Sequence, residues 1–524
     1  MFQTGGYRKE ITADVRSCAS AANGGIYLGN GENGWTWSLP QHAILVIGPP
    51  RSGKTSSIVI PAVISCLGPV VSTSTKNEVM ESTRHARSET GSCLLFDPTG
   101  TVECPRGIER ISWSPLDSAG DWDSALASAR SMVLSSRPPG SRQDSYHWTE
   151  RAESLLAPLF HAAAIAELDT RDLIKWVNRR EAGEALDILQ ADNSELAGDL
   201  LEGILSTDAR EMSGIWSTAS GVLAAYRGGS SLESTGQSLR KLDPDRFVNS
   251  EDTIYICAPG RKQSLVAPLI VGLLDDIRNS AYSRPGEYAL HPLPNSQQVP
   301  ADGFSSRQIL FALDEVANIA PIPDLPSLVS EGGGQGITTL ACIQDLSQAR
   351  TRWGAAADGF FTLFGTKVIF PGIADLRTLE VISTLAGNHQ EASKSVNCPA
   401  WWSSMKQGTS TTWSLQDKRT LAPDAIARGI PGSALLIESM DRPRHLGLTP
   451  YFAGDPWASL TVPTQISHSR NLEDVYGQER DPLDRLAQTP DSELHPELAD
   501  RGKLNSLGNA WSDQSCEPGF GRSI

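Results

Sequence analysis

Eight consecutive residues, Gly48-Pro49-Pro50-Arg51-Ser52-Gly53-Lys54-Thr55, leave this chain few folds to choose from. The apolar run Ala43-Ile44-Leu45-Val46-Ile47 precedes them and reads as a buried parallel strand. A segment rich in Ser, Ile, Val and Ala follows and suits a helix. Strand, glycine-bounded turn and helix in that order are the setting of a Walker A phosphate loop. Gly48 and Gly53 let the backbone curl until successive N–H groups face phosphate oxygens, and the helix adds the partial positive charge of its N-terminus. Lys54 is placed to neutralise the β- and γ-phosphates, and Thr55 to give a hydroxyl to magnesium. The nucleotide-binding candidates are therefore Gly48, Pro49, Pro50, Arg51, Ser52, Gly53, Lys54, Thr55 and Ser56.

A second piece of the same chemistry lies far downstream. Gln308-Ile309-Leu310-Phe311-Ala312-Leu313-Asp314-Glu315 is an apolar strand ending in two carboxylates, a Walker B pattern. Asp314 would hold magnesium opposite Thr55, and Glu315 would orient and partly deprotonate the attacking water. A further strand, Ile337 to Ile343, ends at Gln344, a polar side chain able to sense the γ-phosphate from the strand beside Walker B. The candidate catalytic residues are thus Glu315, Gln344 and Lys54, and the metal ligands Thr55 and Asp314, with ATP and Mg2+ as cofactors. Gly332-Gly333-Gly334-Gln335-Gly336 precedes a strand instead of joining strand to helix, so it is no dinucleotide fingerprint and reads as a flexible loop.

The remaining chain organises around these strands. Residues 1–40 hold many glycines and two tryptophans, with 24–29 and 35–37 as short strand-like pieces, and read as an edge hairpin leading into the nucleotide strand. Val70-Val71-Ser72-Thr73 and Cys93-Leu94-Leu95-Phe96 are further strands, and Thr75-Lys76-Asn77-Glu78 between them reads as a capping box with Thr75 as N-cap. This βαβαβ pattern predicts an α/β fold with a mostly parallel sheet. From Asp121 to about Lys241 apolar residues recur at three- and four-residue spacing, with Trp122, Trp148, Trp176 and Trp216 one to each predicted helix. Large aromatics so placed build a helical core, although stacking on single-stranded bases is the other use open to them. Thr253 to Pro259 is a strand, Leu265 to Ile277 a helix, and residues 283–306 a surface loop. The expected domains are 1–119 (the N-terminal segment and the Walker A part), 120–250 (an inserted all-α domain), 251–460 (Walker B and sensor) and 461–524 (a flexible acidic tail).

Composition sets limits on partners and place. A net charge of −16 argues against a surface that grips nucleic acid over its whole extent, though not against a local basic channel. The eight cysteines are scattered singly without a CxxC pair, which predicts a reducing cytosol. The longest apolar stretch, Ile58 to Val71, is interrupted by Pro61, Gly68 and Pro69, so a soluble cytoplasmic protein with no transmembrane segment is expected.

Taken together, GPPRSGKT at 48–55, STKNEV at 74–79, LLFDPTG at 94–100, LFALDEVANIAPIPDLPSLVSEGGGQGI at 310–337, CIQDLSQARTRWG at 342–354 and LAPDAIARGIPGSALLIESMDRPRHL at 421–446 resemble the coupling-protein ATPases of type IV secretion and conjugation, the TraG/TraD-like family. The resemblance spans about residues 24–455. It implies a RecA-like P-loop NTPase with an inserted all-α domain, working as a hexameric homo-oligomer. It further implies ATP-driven recruitment and movement of DNA or relaxase-bound DNA, alongside a secretion-channel or membrane-anchoring protein at the inner face of the membrane.

Two departures bear on that expectation. Members of the family usually begin with transmembrane helices, and none precedes Gly48. The family also tends to carry an arginine in the glycine-rich loop before the sensor glutamine, acting across the subunit boundary, and here that position is Gly333. Either Arg350, Arg352 or another arginine replaces it, or hydrolysis is feeble. A nucleotide-gated adaptor that docks partner proteins with little turnover is therefore the alternative function, and a small-molecule phosphotransferase is a third.

Overall fold

Short runs of Ile, Val and Leu, apolar on both faces, become the inner strands of one large sheet, since only a sheet covered on both sides buries every residue of such a run. The computed structural model describes residues 3–137, 146–236, 238–284, 308–397, 410–438 and 441–461. All of these fall within one unit, Met1–Pro463, while the second unit, Thr464–Ile524, lies wholly outside them. The expected surface loop at 283–306 and the tail from 461 likewise lie almost entirely outside the described residues.

The strands are β1 (Tyr27–Gly31), β2 (Gly34–Trp37), β3 (Ile44–Ile47), β4 (Val70–Ser74) and β5 (Cys93–Phe96). Next come β6 (Ile108–Ser112), β7 (Arg240–Lys241), β8 (Thr253–Cys257), β9 (Ile309–Leu313) and β10 (Ile337–Ile343). The last are β11 (Thr366–Ile369), β12 (Asn388–Asn397), β13 (Ser410–Arg419), β14 (Ser433–Glu438) and β15 (Arg444–Gly447). A 13-stranded sheet runs β2-β1-β15-β14-β11-β3-β10-β9-β4-β8-β5-β6-β7. Every pairing from β11 to β7 is parallel, and every pairing from β11 out to β2 is antiparallel. β12 and β13 pair only with each other, as an exposed antiparallel ribbon.

Between β6 and β7 the described chain is helical: Trp122–Ser135, Tyr146–Ile165, Thr170–Arg179, Gly183–Asp192, Glu195–Leu205, Ala209–Val222 and Gly229–Glu233. The four tryptophans fall one to a helix. Trp176 and Trp216 are buried and Trp122 packs partly buried against the same core, whereas Trp148 stays 38% exposed with its ring close against Gly214. The seam between these helices and the sheet is polar as well as apolar. Trp113 closes on Gly272 of the helix Gln263–Tyr282, and its Nε1 donates to Asp276 Oδ2 at 2.8 Å. Ser118 Oγ donates to the same carboxylate at 2.9 Å, and burial pushes the Asp276 carboxyl up to about 6.

The structure corrects four local readings. A helix, Gln3–Ala21, precedes the edge hairpin; its sequence carries Gly5 and Gly6 and no clear apolar stripe. It is held by Arg16, which donates to the Cys66 and Leu67 carbonyls and to Glu251 Oε2 at 3.0, 3.1 and 2.8 Å. The capping box at Thr75 does not form, because Ser74 Oγ takes the Lys76 N–H and the helix Glu78–Arg87 starts from Asn77 without a side-chain cap. The glycines at 332–336 form an ordered 3-10 turn, not an open loop, with Gly333 pressed against the backbone of Gln41. The strands β6, β7 and β11 to β15 extend the sheet well beyond the βαβαβ core or form the separate ribbon. Among the described residues no helix is long and apolar enough to cross a membrane.

Candidate nucleotide site

In an open parallel sheet the loops at the carboxyl ends of the strands form the ligand crevice. Here the ends of β3, β10, β9 and β4 lie side by side, and each carries a polar feature: the Gly48–Thr55 loop, Gln344, Asp314–Glu315 and Ser74. Ile47 pairs with Ile343, and Gly48 N donates to Ile343 O at 3.2 Å, which sets the phosphate loop beside Gln344. Thr73 pairs with Leu313, and Asp314 N donates to Thr73 O at 3.1 Å, which aligns Ser74 with Asp314. Thr55 Oγ1 then donates to Asp314 Oδ2 at 3.0 Å across 259 residues of chain, and Ser74 Oγ donates to the same oxygen at 3.3 Å.

The loop is shaped by its neighbours. A Cβ on Gly48 would sit 2.7 Å from Phe370 Cβ, so the strand end of β11 forbids a side chain there. Gly53 has φ +95°, open to glycine at no cost. Arg51 (φ +64°) and Glu315 (φ +58°) hold the left-handed conformation without being glycine, at about 1–2 kcal/mol each. Strain of this kind persists where surrounding structure fixes it and gathers at binding sites. After Lys54 the helix begins as a π-turn, Thr55–Val59, before Ile60–Ser65 winds as α.

Burial sets the electrostatics of the site. Lys54 is buried, and desolvation lowers its pKa against the opposing pull of Asp314 and Glu315. Its Nζ turns onto the loop's own carbonyls, Gly48 O at 2.5 Å and Pro49 O at 2.9 Å. Burial pushes the Asp314 carboxyl up to about 6, with the Thr55 hydrogen bond pulling it down and Glu315 pushing it further up. Ser52 Oγ is buried without a hydrogen-bond partner. A lysine satisfied only by carbonyls, an orphaned hydroxyl and a loop of N–H groups fit a polyphosphate. The oxygen donors Thr55, Ser74 and Asp314 fit a hard divalent cation such as magnesium.

Lys54, Thr55, Asp314, Glu315 and Gln344 thus lie together at the carboxyl ends of neighbouring strands, and Pro49, Pro50, Arg51, Ser52 and Ser56 complete the loop and its first helical turn. Glu315 is half-buried and accepts from Asn318 Nδ2 at 3.3 Å; the Gln344 N–H donates to Gln348 Oε1 at 2.9 Å. Two residues escaped sequence reasoning. Ser74 looks like any polar strand end until β4 is known to lie next to β9, and Phe370 carries no motif at all. The arginines named for the trans role are engaged within their own chain. Arg350 Nε donates to Asp358 Oδ1 at 2.7 Å and its Nη1 lies 3.9 Å from Asp375; Arg352 donates to the carbonyls of Arg137 and Ser135 at 2.9 and 2.8 Å.

Fold and site together define a RecA-like P-loop fold with a largely parallel sheet. Residues 308–429, which take in Walker B and the β12–β13 ribbon, match the family model described as the TraM recognition site of TraD and TraG. Two Escherichia coli proteins named conjugal transfer protein TraG are 23% identical over 349 residues and 21% identical over 340 residues, each match covering 60% of this chain. The chain spans about half the length of these relatives (50% and 49%). Among solved structures, the unbound bacterial conjugative coupling protein TrwBdeltaN70 superposes with a TM-score of 0.58 at 16% identity, over 78% of this chain and 85% of that one. The plasmid coupling protein TrwB in complex with ADP and Mg2+ gives 0.57 at 16% identity over the same shares. The resemblance to the coupling-protein family of conjugation, read from the motifs, is the one these comparisons find.

Proposed function

We propose that the chain is an ATP-hydrolysing coupling protein of a conjugative or type IV secretion system, recruiting and moving DNA or relaxase-bound DNA. The observation that carries this reading is the convergence of Thr55 and Ser74 on one carboxylate oxygen of Asp314 beside the phosphate loop. Lys54 leaves its carbonyl partners to neutralise phosphate charge, and the loop N–H groups hold the polyphosphate in line. Thr55 and Asp314 would hold the magnesium ion, with Ser74 keeping the Asp314 carboxylate in place. When bound, the ion neutralises charge on the β- and γ-phosphate oxygens. Glu315 orients and deprotonates water, and Gln344 reports on the γ-phosphate. The inserted helices at 120–250 and the nucleotide-binding parts at 1–119 and 251–460 are taken as separate domains of this engine. In this reading it assembles as a homohexamer on the cytoplasmic side of the membrane, with a channel or anchoring protein as partner.

One observation favours the low-turnover adaptor instead. A Cβ at Gly333 would lie 2.2 Å from Gln41 O, so this backbone has no room for the family's arginine at that position. Phosphate release measured with and without DNA separates the readings. The motor predicts stimulation on the order of tenfold or more, in keeping with the size of trans-arginine effects. Flat, near-zero turnover under both conditions supports the adaptor and overturns the motor.

A further inference from the structure

Beyond the phosphates, a bound nucleotide must place its base, and one stretch of the chain is fastened to the helix turn directly after the loop. In the π-turn the bonding step is five residues, as in Ile60 N to Thr55 O. The next donor in that series would be Pro61, which has no N–H. The Ser56 carbonyl is therefore left open, and Tyr451 N donates to it at 2.9 Å. Ser56 directly follows the residue proposed to hold the cation, so Tyr451 is docked on the first turn of the helix that leaves the phosphate loop. Asn30 Nδ2 donates to Thr449 Oγ1 at 3.0 Å and secures the same segment to β1.

The two rings there are disposed differently. Tyr451 is half-buried and packs on the apolar core beneath the phosphate-loop helix. Phe452 meets it edge to face, with centroids 5.2 Å apart at 82°, and remains 53% exposed. A half-buried aromatic carrying a second, solvent-facing ring offers a flat apolar surface of the kind a nucleobase stacks on. We infer that Tyr451 and Phe452 form the platform on which the base of the bound nucleotide stacks. This rests on the nucleotide-binding reading above and adds the residues that recognise the nucleoside.

Calorimetric titration of the full chain with Mg2+–ATP and with Mg2+–tripolyphosphate tests it, since only the first ligand has a base. Phe452→Ala, at an exposed position, should weaken ATP about tenfold, within the usual range for one base–aromatic stack, and leave tripolyphosphate unchanged. Phe452→Trp should restore ATP affinity. Unchanged ATP affinity in Phe452→Ala, or an equal loss for both ligands, overturns the platform. Lys54→Ala, titrated alongside, should weaken both ligands; if it weakens neither, the phosphate site itself is misplaced, whatever Phe452 does.

Discussion

Lys54→Ala should reduce nucleotide affinity by about two to three and a half orders of magnitude while the protein stays folded. The reason lies in what Lys54 does in each state. Its ammonium is buried and donates to the Gly48 and Pro49 carbonyls, contacts that only shape the loop. Against a triphosphate it becomes the partner of a buried anion, and removing one member of such a pair costs about 3–5 kcal/mol. At 1.4 kcal/mol per factor of ten, that is the stated loss. Equilibrium binding of a fluorescent ATP analogue measures it, and a thermal melt near that of the parent protein shows that the fold has survived. Binding within a few-fold of the parent protein would mean that the triphosphate does not use this loop.

Glu315→Gln should separate binding from turnover. Glu315 stands one residue beyond Asp314, held in the left-handed conformation at the end of β9, half-buried and bonded to Asn318. Glutamine has the same shape and can accept the same hydrogen bond, but it cannot take a proton from water. Loss of a positioned base costs about 10²–10⁴ in rate. Single-turnover phosphate release should fall by that factor, with ATP affinity essentially retained. Hydrolysis at the parent rate would remove Glu315 from the chemistry and leave the lone carboxylate of Asp314 to account for it.

What the sequence made legible was whatever is local or periodic. The Walker loop carries its own strand, its own glycines and its own helix, so Gly48 to Thr55 could be read without any neighbour. The apolar run before Asp314 and Glu315 was legible for the same reason. Contacts set by strand order were not. Ser74 becomes part of the site only because β4 lies next to β9, which no spacing along the chain reveals. Gly333 shows why its position is glycine only once Gln41 is seen against it. The helix Gln3–Ala21 has weak intrinsic signals and is secured by Arg16 bonding to residues far along the chain. The β12–β13 ribbon alternates polar residues on both faces, with Trp413 and Leu415 exposed, so it offers no buried face to betray a strand.

The central claim is that the Gly48–Thr55 loop and the Asp314–Glu315 pair serve one triphosphate and one metal ion. Anomalous diffraction from crystals grown with Mn2+ and a non-hydrolysable ATP analogue tests it most directly, since manganese takes magnesium's oxygen ligands and marks its own position. A single manganese peak contacting Thr55 Oγ1 and reaching Asp314 directly or through water, with the phosphates inside the loop, is the predicted result. Manganese or triphosphate bound elsewhere, with Thr55 still donating to Asp314 as it does here, would contradict it.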